Sequence, residues 1–276
     1  SVSRRHQFEG AGAADRLGVE VVRGVSMQPE LAQRWQGGLG LDLEHPDAAA
    51  ATIAAYSAQQ PLAAILAVDD SGVIAAAAAA ARLGLPHNDP AAAEAARDKR
   101  IMRGLMAAAG VPCPWFRVFR SDDDPAQVAQ QVPYPSVVKP TRLNGSRGVI
   151  RADNPTEFVA AARRLARLLR FEYGDEPQPY LVESFIPGFE VALEGMLDQG
   201  ELTVLALFDK PDPLDGPFFE ETIYVTPSRL PAEVQTAIAQ CAAHAAEARV
   251  PAPALAVARQ ERHAHPRHHR LLDRLV

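Results

Sequence analysis

Cysteine is nearly absent from this chain. Its 276 residues include Cys113 and Cys241 and no other cysteine. Two such positions with no metal-ligand spacing exclude a disulfide framework and a zinc ribbon. Cys241 falls on the apolar side of a predicted helix and reads as a small packing residue. Long apolar runs are absent too. The alanine run Ala75 to Ala81 stops at Arg82, too soon for a membrane span. No signal-peptide pattern opens the chain, and the expectation is a cytoplasmic protein. Basic excess is also lacking: 34 acidic residues against 28 basic ones leave a formal charge of −6. That balance gives no electrostatic footprint for nucleic acid or for an anionic membrane. Neither G-x-G-x-x-G nor G-x-x-x-x-G-K-[ST] occurs, so the dinucleotide fingerprint and the helix-capped phosphate loop are both excluded.

What is present centres on Pro135 to Ile150, "PSVVKPTRLNGSRGVI". Prolines bracket a short apolar strand, Ser136 to Lys139, and set its limits. A glycine-bearing loop follows, and a second strand starts near Gly148. Gly145 and Gly148 allow positive φ and close backbone approach. Backbone N–H groups of such a loop form a concavity suited to phosphate oxygens. Lys139 adds a point charge beside it. The residues are read as a triphosphate-gripping flap; the plain alternative is a polar hairpin turn with a surface lysine.

The 47% apolar content and the length fit one large or two ordinary globular domains. The N-terminal stretch is read as a helix ending near Leu17 and Gly18, a strand at Val19 to Val22, a helix at Ala48 to Gln59, and a buried strand at Leu62 to Asp70. A helix stopped by Gly84 and a short strand in "LGLPHN" follow. This alternation predicts a parallel α/β unit, with a first strand expected upstream of Ser1.

Ala91 to Ala109 reads as one helix ended by Gly110, with Asp98 and Lys99 in its first half. A strand leads out of "VPCPWFRVF", and the three aspartates of "SDDDPAQ" read as caps and solvated charge. Asn154, Pro155 and Glu157 form a helix start, with Phe158, Ala162, Leu165 and Leu169 on its buried face. "YLVE" is a strand. Phe189 onward alternates, placing Glu190 and Glu194 on one face. Glu201 to Lys210 is its antiparallel partner. Pro211 to Pro231 is a long loop with a short strand "TIYV", and Leu230 to Ala248 is a helix burying Val234, Ile238, Cys241 and Ala245. No internal repeat is found.

Four stretches, "DKRIMRGLMAAAGVPCP", "YPSVVKPTRLNGSRGV", "YLVESFIPGFEVALEG" and "LFDKPDPLDGPFFEE", stand in the order of the ATP-grasp superfamily, and the chain resembles that superfamily. It looks closest to the branch holding biotin carboxylase, carbamoyl phosphate synthetase and the amino-acid ligases. The resemblance implies an α/β (α+β grasp) fold: a partial Rossmann-like domain over 1–90, an ATP-grasp domain over 91–248 with its flap near 135–180, and an atypical tail over 249–276 outside the family pattern. It implies ATP and Mg2+ as cofactors and a small carboxylate as partner. In that family a carboxylate attacks the γ-phosphate, and a nitrogen nucleophile then displaces phosphate from the acyl phosphate. The implied roles are Lys99 and Lys139 on phosphate, and Asn144, Gly145, Ser146, Arg147 and Gly148 folded over the β- and γ-phosphates. Glu183, Ser184, Phe185 and Ile186 form the adenine hinge, and Glu190 accepts from the ribose hydroxyls. The plain alternatives are a helix-surface Lys99, exposed strand positions for Glu183 and Glu190, and core packing for Phe185.

The family's late magnesium-binding strands have no counterpart in this sequence. After Asn154 there is no asparagine, and after Glu247 the only acids are Glu261 and Asp273. The tail shows no strand-loop-strand pattern, and its His263, His265, His268 and His269 share no register. Truncation or a frame change past Arg249 is the expected explanation, with weak nucleotide binding and little turnover. Metal ligands and catalytic residues are therefore not assigned. The competing readings are a carboxylate–amine ligase, a nucleotide-binding module or inactive fragment without catalysis, and a plain α/β domain.

Overall fold

A computed structural model of the chain describes residues 14, 16–34, 38–198 and 200–247, with residues 35, 36 and 256–264 as backbone. Two compact units divide at Leu85/Pro86.

In the first unit, strand β1 (Gly24–Ser26), helix α1 (Pro29–Gln36) and strand β2 (Leu39–Leu41) form a strand-helix-strand unit. The strands are parallel, with Gly24 opposite Leu39. Helices α2 (Pro46–Ser57) and α3 (Val73–Leu83) pack on each other. Their core is built largely of small residues: Ala49, Ala50, Ala75 and Ala79, with Leu41 and Ile53. Gly84 ends α3 as expected.

Three strand expectations fail in this unit. Val19 to Val22 is not a strand; the first described strand is Gly24–Ser26. "LGLPHN" and Leu62 to Asp70 are not strands either. An apolar run becomes a buried strand only beside a ladder partner, and the first unit's sheet among the described residues holds β1 and β2 alone. Leu66 and Val68 are 81% and 92% exposed.

The second unit opens with helices α4 (Pro90–Arg97) and α5 (Lys99–Ala108). The single helix expected over 91–109 is broken at Asp98, whose φ of −112° and ψ of 106° are extended. Asp98 ends α4 and caps α5, accepting from the Arg100 N–H at 2.9 Å. A uniform alanine-rich pattern carries no mark of such a break.

Strand β3 (Phe116–Arg120), the single turn α6 (Pro125–Val128), strands β4 (Ser136–Pro140) and β5 (Ile150–Ala152), helix α7 (Pro155–Tyr173) and strand β6 (Pro179–Ser184) follow. The sheet order is β3-β6-β4-β5, antiparallel throughout. Asp124 caps α6 through the Ala126 N–H. Helix α7 starts as the sequence dictates. Asn154 Oδ1 accepts from the Glu157 N–H at 3.0 Å, and Glu157 accepts in return from Asn154 Nδ2. Phe158, Ala162, Leu165 and Leu169 are buried in one core with Val138 and Val182 of the sheet. Each fully buried Phe or Leu side chain contributes about 1.5–3 kcal/mol.

Strands β7 (Phe189–Asp198) and β8 (Glu201–Asp209) form the expected antiparallel pair, with Asp198, placed in the connector by the sequence, paired opposite Glu201 and a register shift at Glu194/Gly195. Helix α8 (Ala232–Glu247) buries Val234, Ile238, Cys241 and Ala245 against Val191 and Leu193 of β7, and Met106 of α5 joins this core. "TIYV" makes only a single bridge, Asp209 to Val225, in place of the expected strand. The tail contains β9 (Ala256–Ala264), antiparallel to β7 in the order β8-β7-β9. The sequence reading names no strand there; β9 is a single one and forms no strand-loop-strand unit among the described residues. The β7 backbone, with β8 on one side only, offers a ladder edge that alternating "AVARQ" fits. His265, His268 and His269 lie outside the described residues.

Candidate functional site

Strand β4 ends at Lys139-Pro140, where Lys139 leaves an otherwise buried strand half-buried. Lys139 lies opposite Leu181 on β6 and, two residues on, Glu183 follows opposite Val137. Lys139 Nζ forms an ion pair with Glu183 Oε2. The other oxygen of Glu183 accepts from Arg103 Nε of α5 at 2.5 Å, and Arg103 Nη2 lies 3.4 Å from Oε2. Glu183 is thus buried between two cations, not an exposed strand position. Burial alone would raise its pKa. The Lys139 charge and the Arg103 guanidinium, with their hydrogen bonds, outweigh that and hold it at about 2. The charge of Glu183, in turn, raises the Arg103 pKa against its own burial.

Beyond β4 the loop turns tightly. Gly145 and Ser146 have φ of 59° and 55°, and the Arg147 N–H donates to the Asn144 carbonyl. Two consecutive positive φ values closed by that bond are the mark of a type I′ turn. Gly148 (φ 76°) lies against α7; a Cβ there would meet Leu168 Cδ2 at 2.8 Å. Arg147 turns to α7 and pairs with Glu172. Lys99 sits at the start of α5. Its N–H donates to the Thr141 carbonyl at 2.9 Å and its Nζ to the Leu143 carbonyl at 2.7 Å. Arg142 pairs with Glu94 and with buried Asp98. The expected flap is therefore one continuous loop tied at its entry to α4 and α5 and at its exit to α7.

The hinge segment runs from β6 into β7. The Ser184 and Phe185 N–H groups donate to the carbonyls of Trp115 and Pro135. The Arg151 guanidinium lies 4.1 Å from the Phe185 ring centroid, and the Phe219 ring stands 6.5 Å away. Ile186 is half-buried beside them. On β7, Glu190 is buried rather than exposed. Its Oε1 accepts from Lys210 Nζ at 2.5 Å, and Lys210 also reaches Glu221 Oε1 at 2.7 Å. Tyr224 donates its O–H to Glu221. The next residue inward, Asp209, accepts from Ser228 Oγ and from the Arg229 N–H.

One segment reaches both charge centres. Phe218 bridges to Ile150 beside the flap, Phe219 faces Phe185, and Glu221 holds Lys210 against Glu190. A cavity of about 730 Å³ lies between the loop Gly145–Ile150, α7 and Phe218–Glu221. Lys139, Phe185 and Glu190 do not line it. Arg147 and Arg164 line it beside Leu165 and Leu168, together with the glycines of the loop. Among the described residues no group of three or more His, Cys, Asp or Glu could hold a metal ion. The site as described does not supply a magnesium cage.

Arg103, Lys210 and Glu221 are the partners that pattern reading missed. Arg103 lies 80 residues from Glu183 and reads as one more charge on an amphipathic helix. Lys210 carried the one usable signal: like Lys139, it ends an apolar strand just before a proline.

Two family profiles match the chain. One described as an ATP-grasp N-terminal domain covers residues 8–87, and one described as an ATP-grasp domain covers 132–251. D-alanine--D-alanine ligase of Aromatoleum aromaticum is 29% identical over 149 residues, 53% of this chain and 46% of that protein. Alanine--anticapsin ligase of Bacillus amyloliquefaciens is 30% identical over 187 residues, 60% of this chain and 38% of that protein. The crystal structure of the L-amino acid ligase from Bacillus licheniformis superposes with a TM-score of 0.73 at 25% identity, over 92% of this chain and 59% of that one. The chain thus spans less than two thirds of the length of these relatives. The two profiles follow in order along the chain, the superposition agrees with them, and the chain belongs to the ATP-grasp superfamily.

Proposed function

We propose that the second unit binds ATP, with the triphosphate held by Lys139, Lys99 and the loop Asn144–Gly148, and the ribose held by Glu190. The observation that carries this reading is the buried group of Arg103, Lys139 and Glu183. Two cations against one carboxylate leave a net positive charge at the mouth of the flap, where a polyanion is stabilised. Phe185 and Phe219 offer aromatic surface for the base. Glu190 supplies a carboxylate acceptor for hydroxyl donors.

The reaction that best fits is ADP-forming carboxylate–amine ligation, as in the ligases to which the chain is similar. A carboxylate oxygen attacks the γ-phosphorus, the bond to the β-phosphate oxygen breaks, and ADP leaves. An amine then attacks the acyl carbon, the C–O bond to phosphate breaks, and inorganic phosphate leaves as the C–N bond forms. The residues described contribute positioning and charge neutralisation. In this family magnesium would neutralise phosphate charge.

Calorimetry with MgATP tests the binding reading. Lys139→Ala is expected to weaken binding at least about tenfold; equal heats for both proteins would overturn the flap assignment. Phosphate release from MgATP with pooled amino acids tests ligation. Release marks a ligase, and tight binding with no release marks a nucleotide-binding module.

A further inference from the structure

The role of Lys139 raises a physical problem that the geometry itself resolves. Lys139 is already paired with Glu183. If the pair stood alone it would have no net charge, and drawing the lysine toward phosphate would strand a buried carboxylate. Arg103 removes that obstacle. It donates to Glu183 from Nε at 2.5 Å and from Nη2 at 3.4 Å, the two-pronged approach that a guanidinium makes to a carboxylate. The side chains of Arg103 and Glu183 are 9% and 5% exposed, and that of Lys139 is 17% exposed. The arginine is the fixed partner and the lysine the one nearer solvent. Arg103 is further held by its own helix: its Nη1 lies 3.9 Å from the Sδ of Met106, which is buried in the β7–α8 core.

We propose that Arg103 is a positioning residue: it keeps Glu183 neutralised so that Lys139 is released to the phosphates of a nucleotide. The inference rests on the ATP reading above and adds a residue that touches no nucleotide. Its effect must therefore pass through Lys139 and scale with the phosphates bound.

The test is a double-mutant cycle read by calorimetry with ATP, AMP and adenosine. Arg103→Met is expected to weaken ATP binding at least about tenfold and to leave adenosine binding within about twofold. In a Lys139→Ala background, Arg103→Met is expected to change ATP affinity by less than about twofold. Equal losses for ATP and adenosine, or the same loss in both backgrounds, would show a merely structural residue and overturn the proposal. If Arg103→Met alone does not fold, Arg103→Met with Glu183→Gln carries the test. With the carboxylate gone, Lys139 needs no release, and ATP affinity should return to within about threefold of the parent. A folded double variant that still fails to bind ATP would overturn the proposal. Wild-type protein with no ATP heat, or Lys139→Ala equal to wild type, would overturn the ATP reading and this inference with it; the outcomes above leave that reading standing.

Discussion

Glu183 and Lys210 are the buried centres of two charge groups built with opposite stoichiometry. Glu183 is a carboxylate held by two cations, Arg103 and Lys139. Lys210 is a cation held by two carboxylates, Glu190 and Glu221. Two cations face one carboxylate in the first group, and two carboxylates face one cation in the second. Two cations at one centre and two carboxylates at the other suit a ligand that is anionic at one end and rich in hydroxyl donors at the other. The comparison also separates roles. The central ion has no substitute, whereas each flanking ion shares its duty with another.

The largest expected effect follows from that distinction. Removing a central ion leaves two like charges facing each other: Glu183→Ala, with buried Arg103 beside half-buried Lys139, should destabilise the protein by about 3–5 kcal/mol in urea unfolding, and Lys210→Ala by less, because Glu221 is exposed. Removing a flanking ion leaves the centre still paired. Lys139→Ala and Glu221→Ala should each lower stability by only about 1 kcal/mol. Equal losses for central and flanking variants would break the comparison.

Acid sharpens it next. The folded pKa of Glu183 is about 2 against an ordinary value of 4.5. A depressed carboxylate pKa gives stability that is present above the unfolded value and is lost as pH falls through the folded one. Wild type should therefore lose stability between about pH 4.5 and pH 2, and Glu183→Gln should flatten that part of the curve. An unchanged acid slope in the variant would show that the group does not hold Glu183 ionised.

A smaller effect tests the frame on which the positive group sits. Gly148 has φ 76° and no room for a Cβ beside Leu168. Gly148→Ala should cost about 1–3 kcal/mol and loosen the loop from α7. The smallest is Asn154→Ala, which removes the α7 cap and should lower stability by about 1 kcal/mol; thermal unfolding reads both. No change in either would mean that α7 does not brace the loop.

Where structure is set by neighbours in sequence, the chain was readable. The cap, proline and glutamate that begin α7 act within four residues. The β7–β8 hairpin follows from alternation and a turn, and α8 from its apolar spacing. Where a distant partner decides, reading failed. The break at Asp98 serves Arg142, 44 residues on, and nothing in the alanine-rich pattern announces it. Leu62 to Asp70 has the composition of a buried strand but no ladder to join. The tail hid β9 because pairing is decided by the edge that β7 offers. The site divides in the same way. Lys139 and Glu190 show themselves at strand ends, whereas the ions that balance them come from elsewhere in the chain.

Helix α5 carries a last consequence. Its first residue, Lys99, is bonded to the carbonyls of Thr141 and Leu143. Arg103, four residues along, is bonded to Glu183. About 6 Å of helical rise therefore separates the anchor of the flap's root from the counter-ion of its lysine. That separation is a property of peptide geometry, so α5 works as a ruler whose graduation neither ligand nor temperature can easily stretch.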